Sequence, residues 1–179
     1  MSRPVNERAD AGRTAERVVL VLYLLVLAWV ILLKMHTGDF GDLSGRRSLN
    51  LVPFAGTGEL HGLGSQELAI NVLAFIPLGV LVYLAARRRS FGRLLLPIVG
   101  AALAFEVVQY ALGIGASDIT DVLTNTTGGL IGLGIAWFGF RVLGARAQRW
   151  LLVGLVVVLL ALAAGFVAWL QATGVRFRL

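Results

Sequence analysis

Five polar side chains stand where apolar residues would be expected: Glu106, Gln109, Asp118, Asp121 and Asn125, within the stretch AFEVVQYALGIGASDITDVLTNTTGGLIG (104–132). A carboxylate at the centre of a membrane helix costs roughly 2.5–3.5 kcal/mol on insertion scales, so such groups mark an interior site by default. Read as a helical hairpin, Glu106 and Gln109 are three apart on the first arm, with Tyr110 a turn beyond Glu106. Asp121 and Asn125 are four apart on the second arm, and each pair shares a helix face. At about 1.5 Å per residue, Glu106 and Asn125 both lie roughly 9–10 Å inside the intervening turn GIGAS. Two carboxylates in a low-dielectric pocket would have their pKa values pushed apart, as acid–base chemistry requires. Their oxygens, with those of the amides, would suit magnesium or calcium rather than zinc.

The elements that position these groups are membrane helices. The chain of 179 residues is 58% hydrophobic and 15% charged, with a mean hydropathy of +0.83, more apolar surface than a soluble domain of this size could bury. Cysteine is absent, which excludes disulfides, thiolate metal sites and cysteine nucleophiles. With only His36 and His61 a histidine zinc site is not expected, and no metal or other cofactor is implied. The net charge of +6 does not point to nucleic acid, because the basic residues sit in short loops flanking apolar runs.

Five runs approach or exceed the roughly 20 residues needed to cross a bilayer core: 18–36, 66–86, 94–112, 119–140 and 150–171. The expected fold is all-α, a polytopic bundle of about five transmembrane helices. Eleven arginines fall on one side, before the first span and in the second–third and fourth–fifth loops, against five basic residues on the other. The positive-inside rule then places the N-terminus in the cytoplasm and the C-terminus outside. Residues 1–17 read as a disordered cytoplasmic leader, 18–140 as a four-helix core and 150–171 as an additional helix bracketed by Trp150 and Trp169.

The longest external connection, 37–65, contains RRSLNLVPF (46–54). This segment is expected to lie at the interface, or to act as a lid with Arg46 or Arg47 as counter-charge to the carboxylates. Ser65 is the expected N-cap of the second span and Ser117 of the fourth, with Asp118 and Asp121 complementing the helix dipole. Asn71 falls about 8 Å inside the second span, at the depth of Glu106 and Asn125. Pro77 with Gly79 should kink that helix and free carbonyls for a neighbour to satisfy. Thr124, Gly128 and Gly132 form a small-residue stripe, the expected packing seam.

Taken together, NLVPF (50–54), NVLAFIPLG (71–79), ExxQ (106–109) and DxxDVLxNxxGG (118–129) resemble the VanZ-like family of bacterial membrane proteins, over about residues 46–134. The resemblance implies a small multi-helix protein of the cytoplasmic membrane, associated with susceptibility to the glycopeptide teicoplanin. Carried over with it are Asn50, Pro53, Asn71, Pro77, Glu106, Gln109, Asp118, Asp121 and Asn125. Gly115 stands where relatives often carry an arginine, so Arg46 or Arg47 would have to supply the positive partner.

Four functions follow from the polar cluster. It could be an outward-facing pocket for the headgroup of a membrane lipid or lipid-linked cell-wall precursor, a set of hydrogen bonds holding a structural bundle together, an enzyme using Glu106 and Asp121 on such a headgroup, or an ion path. The last is disfavoured because the polar groups stop short of the cytoplasmic end. No catalytic residue and no oligomeric state follows from the sequence.

Overall fold

A computed structural model of the chain describes residues 16–28, 49–54, 63–86, 89–112 and 117–172. Five helices make up most of these: α1 (residues 16–28), α2 (Leu63–Ala86), α3 (Phe91–Leu112), α4 (Ile119–Leu143) and α5 (Arg146–Ala172). The protein is an all-α helical bundle. Among the described residues three stretches are long and apolar enough to cross a membrane: Leu68–Ala86, Phe91–Leu112 and Ile119–Leu143. The remainder of the first expected span, 29–36, lies outside the described residues. The chain divides into two compact units, Met1–Trp137 and Phe138–Leu179.

Glycines set the packing of the first unit. A Cβ on Gly128 would overlap the carbonyl oxygen of Val72 and lie 3.0 Å from the Cβ of Phe75. One on Gly132 would overlap the carbonyl oxygen of Ile76 and lie 3.0 Å from the Cα of Gly79. Val72 with Gly128 and Ile76 with Gly132 advance together, so α2 and α4 run parallel at backbone contact. This is the small-residue stripe found at close membrane-helix interfaces. On the neighbouring face of α4, a Cβ on Gly129 would strike the Ile98 side chain of α3, while the start of α4 meets Glu106 farther along α3. α3 therefore runs antiparallel to α4. Phe75, Leu78, Leu81 and Ile98 are the largest fully buried side chains, and Phe75 meets Phe105 edge to face, with ring centroids 6.1 Å apart.

Pro77 lies inside α2, which continues without a break to Ala86. A proline removes one N–H and crowds the preceding turn, leaving carbonyls there in need of partners. The carbonyl so deprived is that of Leu73; on the next residue, the hydroxyl of Tyr23 of α1 donates to the carbonyl oxygen of Ala74 at 2.6 Å.

In the second unit the chain turns sharply between α4 and α5. Gly144 has a φ of +56°, and its N–H donates to the carbonyl of Phe140 at 3.1 Å. This is a left-handed C-terminal cap that glycine adopts without steric cost. Across the turn, a Cβ on Gly139 would lie 3.7 Å from that of Ala147, an ordinary contact.

Two expected helix caps are overturned. α2 begins at Leu63, so Ser65 lies within its first turn and is not its N-cap. Ser117 belongs to a short strand, and the cap of α4 is Asp118, whose Oδ1 accepts the N–H of Thr120 at 2.8 Å. Asp118 immediately precedes Ile119, the first helical residue, so its carboxylate reaches the N–H two residues on, as an N-cap does. Several helices also outrun the apolar runs that predicted them: α1 takes in Glu16 and Arg17, and α5 starts at Arg146. Backbone hydrogen bonding does not stop where hydrophobicity stops.

Candidate functional site

Because α2 and α4 are parallel and α3 antiparallel, the N-terminal ends of two helices and the C-terminal end of the third gather at one end of the first unit. Every polar residue singled out in the described sequence lies there, near a helix end. Asn71 of α2 donates through Nδ2 to Oδ1 of Asp121 on α4 at 2.7 Å. Glu106 of α3 accepts the backbone N–H of Asp118 through Oε2 at 2.9 Å. A carboxylate receiving that N–H ties the end of α3 to the start of α4.

A third connection comes from the segment before α2. Strand β1 (Leu49–Asn50) pairs in parallel with strand β2 (Ser117–Asp118), Leu49 opposite Ser117 and Asn50 opposite Asp118. The Asn50 amide then works in both directions. Its Nδ2 donates to Oδ2 of Asp118 at 3.1 Å, and its Oδ1 accepts the N–H of Val52 at 3.1 Å, the second forming an Asx-type turn. Phe54 follows with a φ of 60° and donates its N–H to Oγ1 of Thr120 at 2.9 Å. The segment 49–54 is thus fastened to the first turn of α4 at successive points. Leu49, Leu51, Val52 and Phe54 all remain exposed.

Asp118 accordingly does three things: it caps α4, accepts from Asn50 and presents its N–H to Glu106. The strand pairing and the part played by Thr120 were not anticipated. Two-residue strands have no periodicity to detect, but Asp118 and Thr120 at a spacing of two before a helix carry the capping signal. Thr124, expected in the packing stripe, is buried and turns its hydroxyl back onto the carbonyls of Thr120 (2.9 Å) and Asp121 (3.2 Å).

Burial separates this cluster from an ordinary polar surface. Glu106 and Gln109 are each 5% exposed and Asn125 is 4% exposed. Glu106 and Gln109 extend the buried stripe of α3 formed by Leu94, Ile98 and Ala102, and Asn125 lies one turn beyond Asp121. Arg46 and Arg47 lie outside the described residues. The set comprises the carboxyl groups of Glu106, Asp118 and Asp121 and the amides of Asn50, Asn71, Gln109 and Asn125, a combination that both accepts and donates hydrogen bonds. Among the described residues no three His, Asp or Glu side chains converge closely enough to hold a metal ion.

The VanZ/LLP1 family model matches residues 20–143, more than half of the chain and all of the polar cluster. The chain belongs to the VanZ/LLP1 family. Protein VanZ of Enterococcus faecium is 38% identical over 123 residues, 68% of this chain and 73% of that protein. No solved structure matches. As a VanZ-like protein with three helices long and apolar enough to cross a membrane, the molecule is a membrane protein. The family match ends with α4, at residue 143.

Proposed function

We propose that this VanZ-like protein resides in the bacterial cytoplasmic membrane with its N-terminus inside and C-terminus outside, and that its polar cluster opens to the outer leaflet. There it binds the headgroup of a membrane lipid or a lipid-linked cell-wall precursor. Its abundance thereby changes susceptibility to glycopeptides such as teicoplanin, the property that the family resemblance implies. The observation that carries this reading is the concentration of buried acid and amide groups at one end of an otherwise apolar bundle. Membrane proteins retain such groups against their insertion cost mainly where they serve a function. The eleven-to-five division of basic residues supports placing that end outside.

A structural reading has its own support. Asn50, Asn71, Glu106, Asp118 and Asp121 all take part in hydrogen bonds within the protein, and such bonds hold membrane helices together. The two readings part on Glu106→Gln, which keeps the shape and an acceptor for the Asp118 N–H but removes the charge. A headgroup site predicts a stably folded variant that no longer alters teicoplanin susceptibility when expressed in a sensitised host. A purely structural role predicts the reverse, lower thermal stability in detergent with an unaltered phenotype in whatever protein remains folded. If expression of the native protein leaves susceptibility unchanged although it is present in the membrane, the envelope function is excluded.

A further inference from the structure

Within this site the residues divide by how their hydrogen-bonding capacity is used. Asn50, Asn71, Asp118 and Asp121 are engaged in bonds that join β1, α2 and α4, and Glu106 fastens α3 to the same corner. Gln109 and Asn125 differ. Both are more than nine-tenths buried, yet among the described residues neither side chain hydrogen-bonds to the protein. A side-chain amide offers two donor hydrogens and an acceptor oxygen, and burying it unsatisfied is costly. Among the described residues no fully occluded side-chain nitrogen or oxygen lacks a partner, so the polar atoms of these two amides are not wholly sealed off.

We propose that Gln109 and Asn125 are the residues that read the ligand, and that they select an uncharged headgroup portion bearing hydroxyl or amide groups. The inference rests on the headgroup function proposed above. Neutral amides match groups that donate and accept at once, as sugar hydroxyls and acylamino groups do. They match a bare phosphate poorly, since it only accepts. Their separation also favours a larger group. Taking the contact between Ile98 and Gly129 as a common level, Gln109 stands about 16 Å and Asn125 about 6 Å above it at 1.5 Å per residue. The two amides are therefore about 10 Å apart along the bundle, with Glu106 and Asp121 at intermediate depth. Such a column accommodates an extended headgroup better than a single tetrahedral anion.

The test is native mass spectrometry of the full chain in nanodiscs doped in turn with diglucosyl diacylglycerol, polyprenyl-diphosphate-linked N-acetylglucosamine and phosphatidic acid. The first lipid carries hydroxyls alone, the second hydroxyls and an amide beside a diphosphate, the third a phosphate alone, so a sugar preference requires that the second be retained above the third. The native chain should retain one or both sugar lipids in preference to phosphatidic acid, and which is retained identifies the source. Gln109→Met and Asn125→Leu should each weaken that retention by about fivefold, the loss of one neutral hydrogen bond. Neither should lower thermal stability, because neither removes an internal bond. Should either fail to fold, Gln109→Glu or Asn125→Asp, which keep the shape but alter donor capacity, replaces it with the same expectation. Sugar-lipid retention that persists undiminished in the variants overturns the role of Gln109 and Asn125 while leaving the headgroup function standing. Preferential retention of phosphatidic acid overturns the selectivity alone. A folded native chain that retains none of the three lipids overturns both proposals.

Discussion

The α2–α4 seam makes a prediction whose sign depends on position along one helix. Gly128 and Gly134 both lie in α4, and replacing either with alanine raises helix propensity by about 1 kcal/mol. The surroundings differ completely. A new Cβ at Gly128 meets the carbonyl oxygen of Val72, a backbone atom that no side-chain rotation can move aside, whereas one at Gly134 meets nothing within 4 Å. Overpacking of a well-filled interior costs roughly 1–3 kcal/mol, and the upper end applies where backbone is struck. The propensity gain is common to both variants, so the difference between them isolates the contact at about 3 kcal/mol. For a chain of this size that corresponds to roughly 6–12 °C between the two melting temperatures. Thermal unfolding of Gly128→Ala and Gly134→Ala in the same detergent, followed by circular dichroism, measures it. Equal stability of the two variants would refute the close approach of α2 and α4, and with it the parallel arrangement that gathers the polar ends.

Two further predictions concern the site and its setting. A double-mutant cycle of Asn71→Leu and Asp121→Leu should give a coupling of about 1 kcal/mol, between the average for membrane side-chain pairs and that for hydrogen bonds to charged groups; a coupling near zero would show that the 2.7 Å contact does not brace α2 against α4. In the cysteine-free chain, Leu51→Cys should react with a membrane-impermeant maleimide in intact cells and Ser90→Cys should not, and the opposite pattern would invert the proposed orientation.

Much of the helical architecture was legible in the sequence because bilayer thickness imposes a length on every apolar run. The seam was legible for a related reason: only small residues let membrane helices touch, so Gly128 and Gly132 announced it. Their partner was not, since nothing in the stripe distinguishes α2 from α3 as the helix it meets. That Asn71, Glu106 and Asn125 gather toward one end of the bundle could be counted from helix rise, although Glu106 stands about 6 Å beyond Asn125 when measured from the contact of Ile98 with Gly129. What could not be counted was the division of labour among them. That Asp118 also takes a bond from Asn50, 68 residues away, is a non-local pairing with no local trace. The bond from Tyr23 to the carbonyl of Ala74 was equally hidden, because a tyrosine in an apolar run looks like any other membrane aromatic.

The bond between Asn50 and Asp118 also sets an order of events during synthesis. Its two ends are separated by 68 residues, and translation proceeds at about 5–20 residues per second. The β1 segment therefore precedes its partner by about 3–14 s, while α2 and α3 are made and inserted. Neither the strand pair, nor the Phe54–Thr120 bond, nor the Asn71–Asp121 brace can form until the beginning of α4 has emerged. The polar end of the molecule is thus completed late in biogenesis, and a chain halted before α4 contains Asn71 and Glu106 without the partners that stabilise them. Such a truncated product would present the cell with intramembrane polar groups in need of other company, a recognisable mark for membrane quality control.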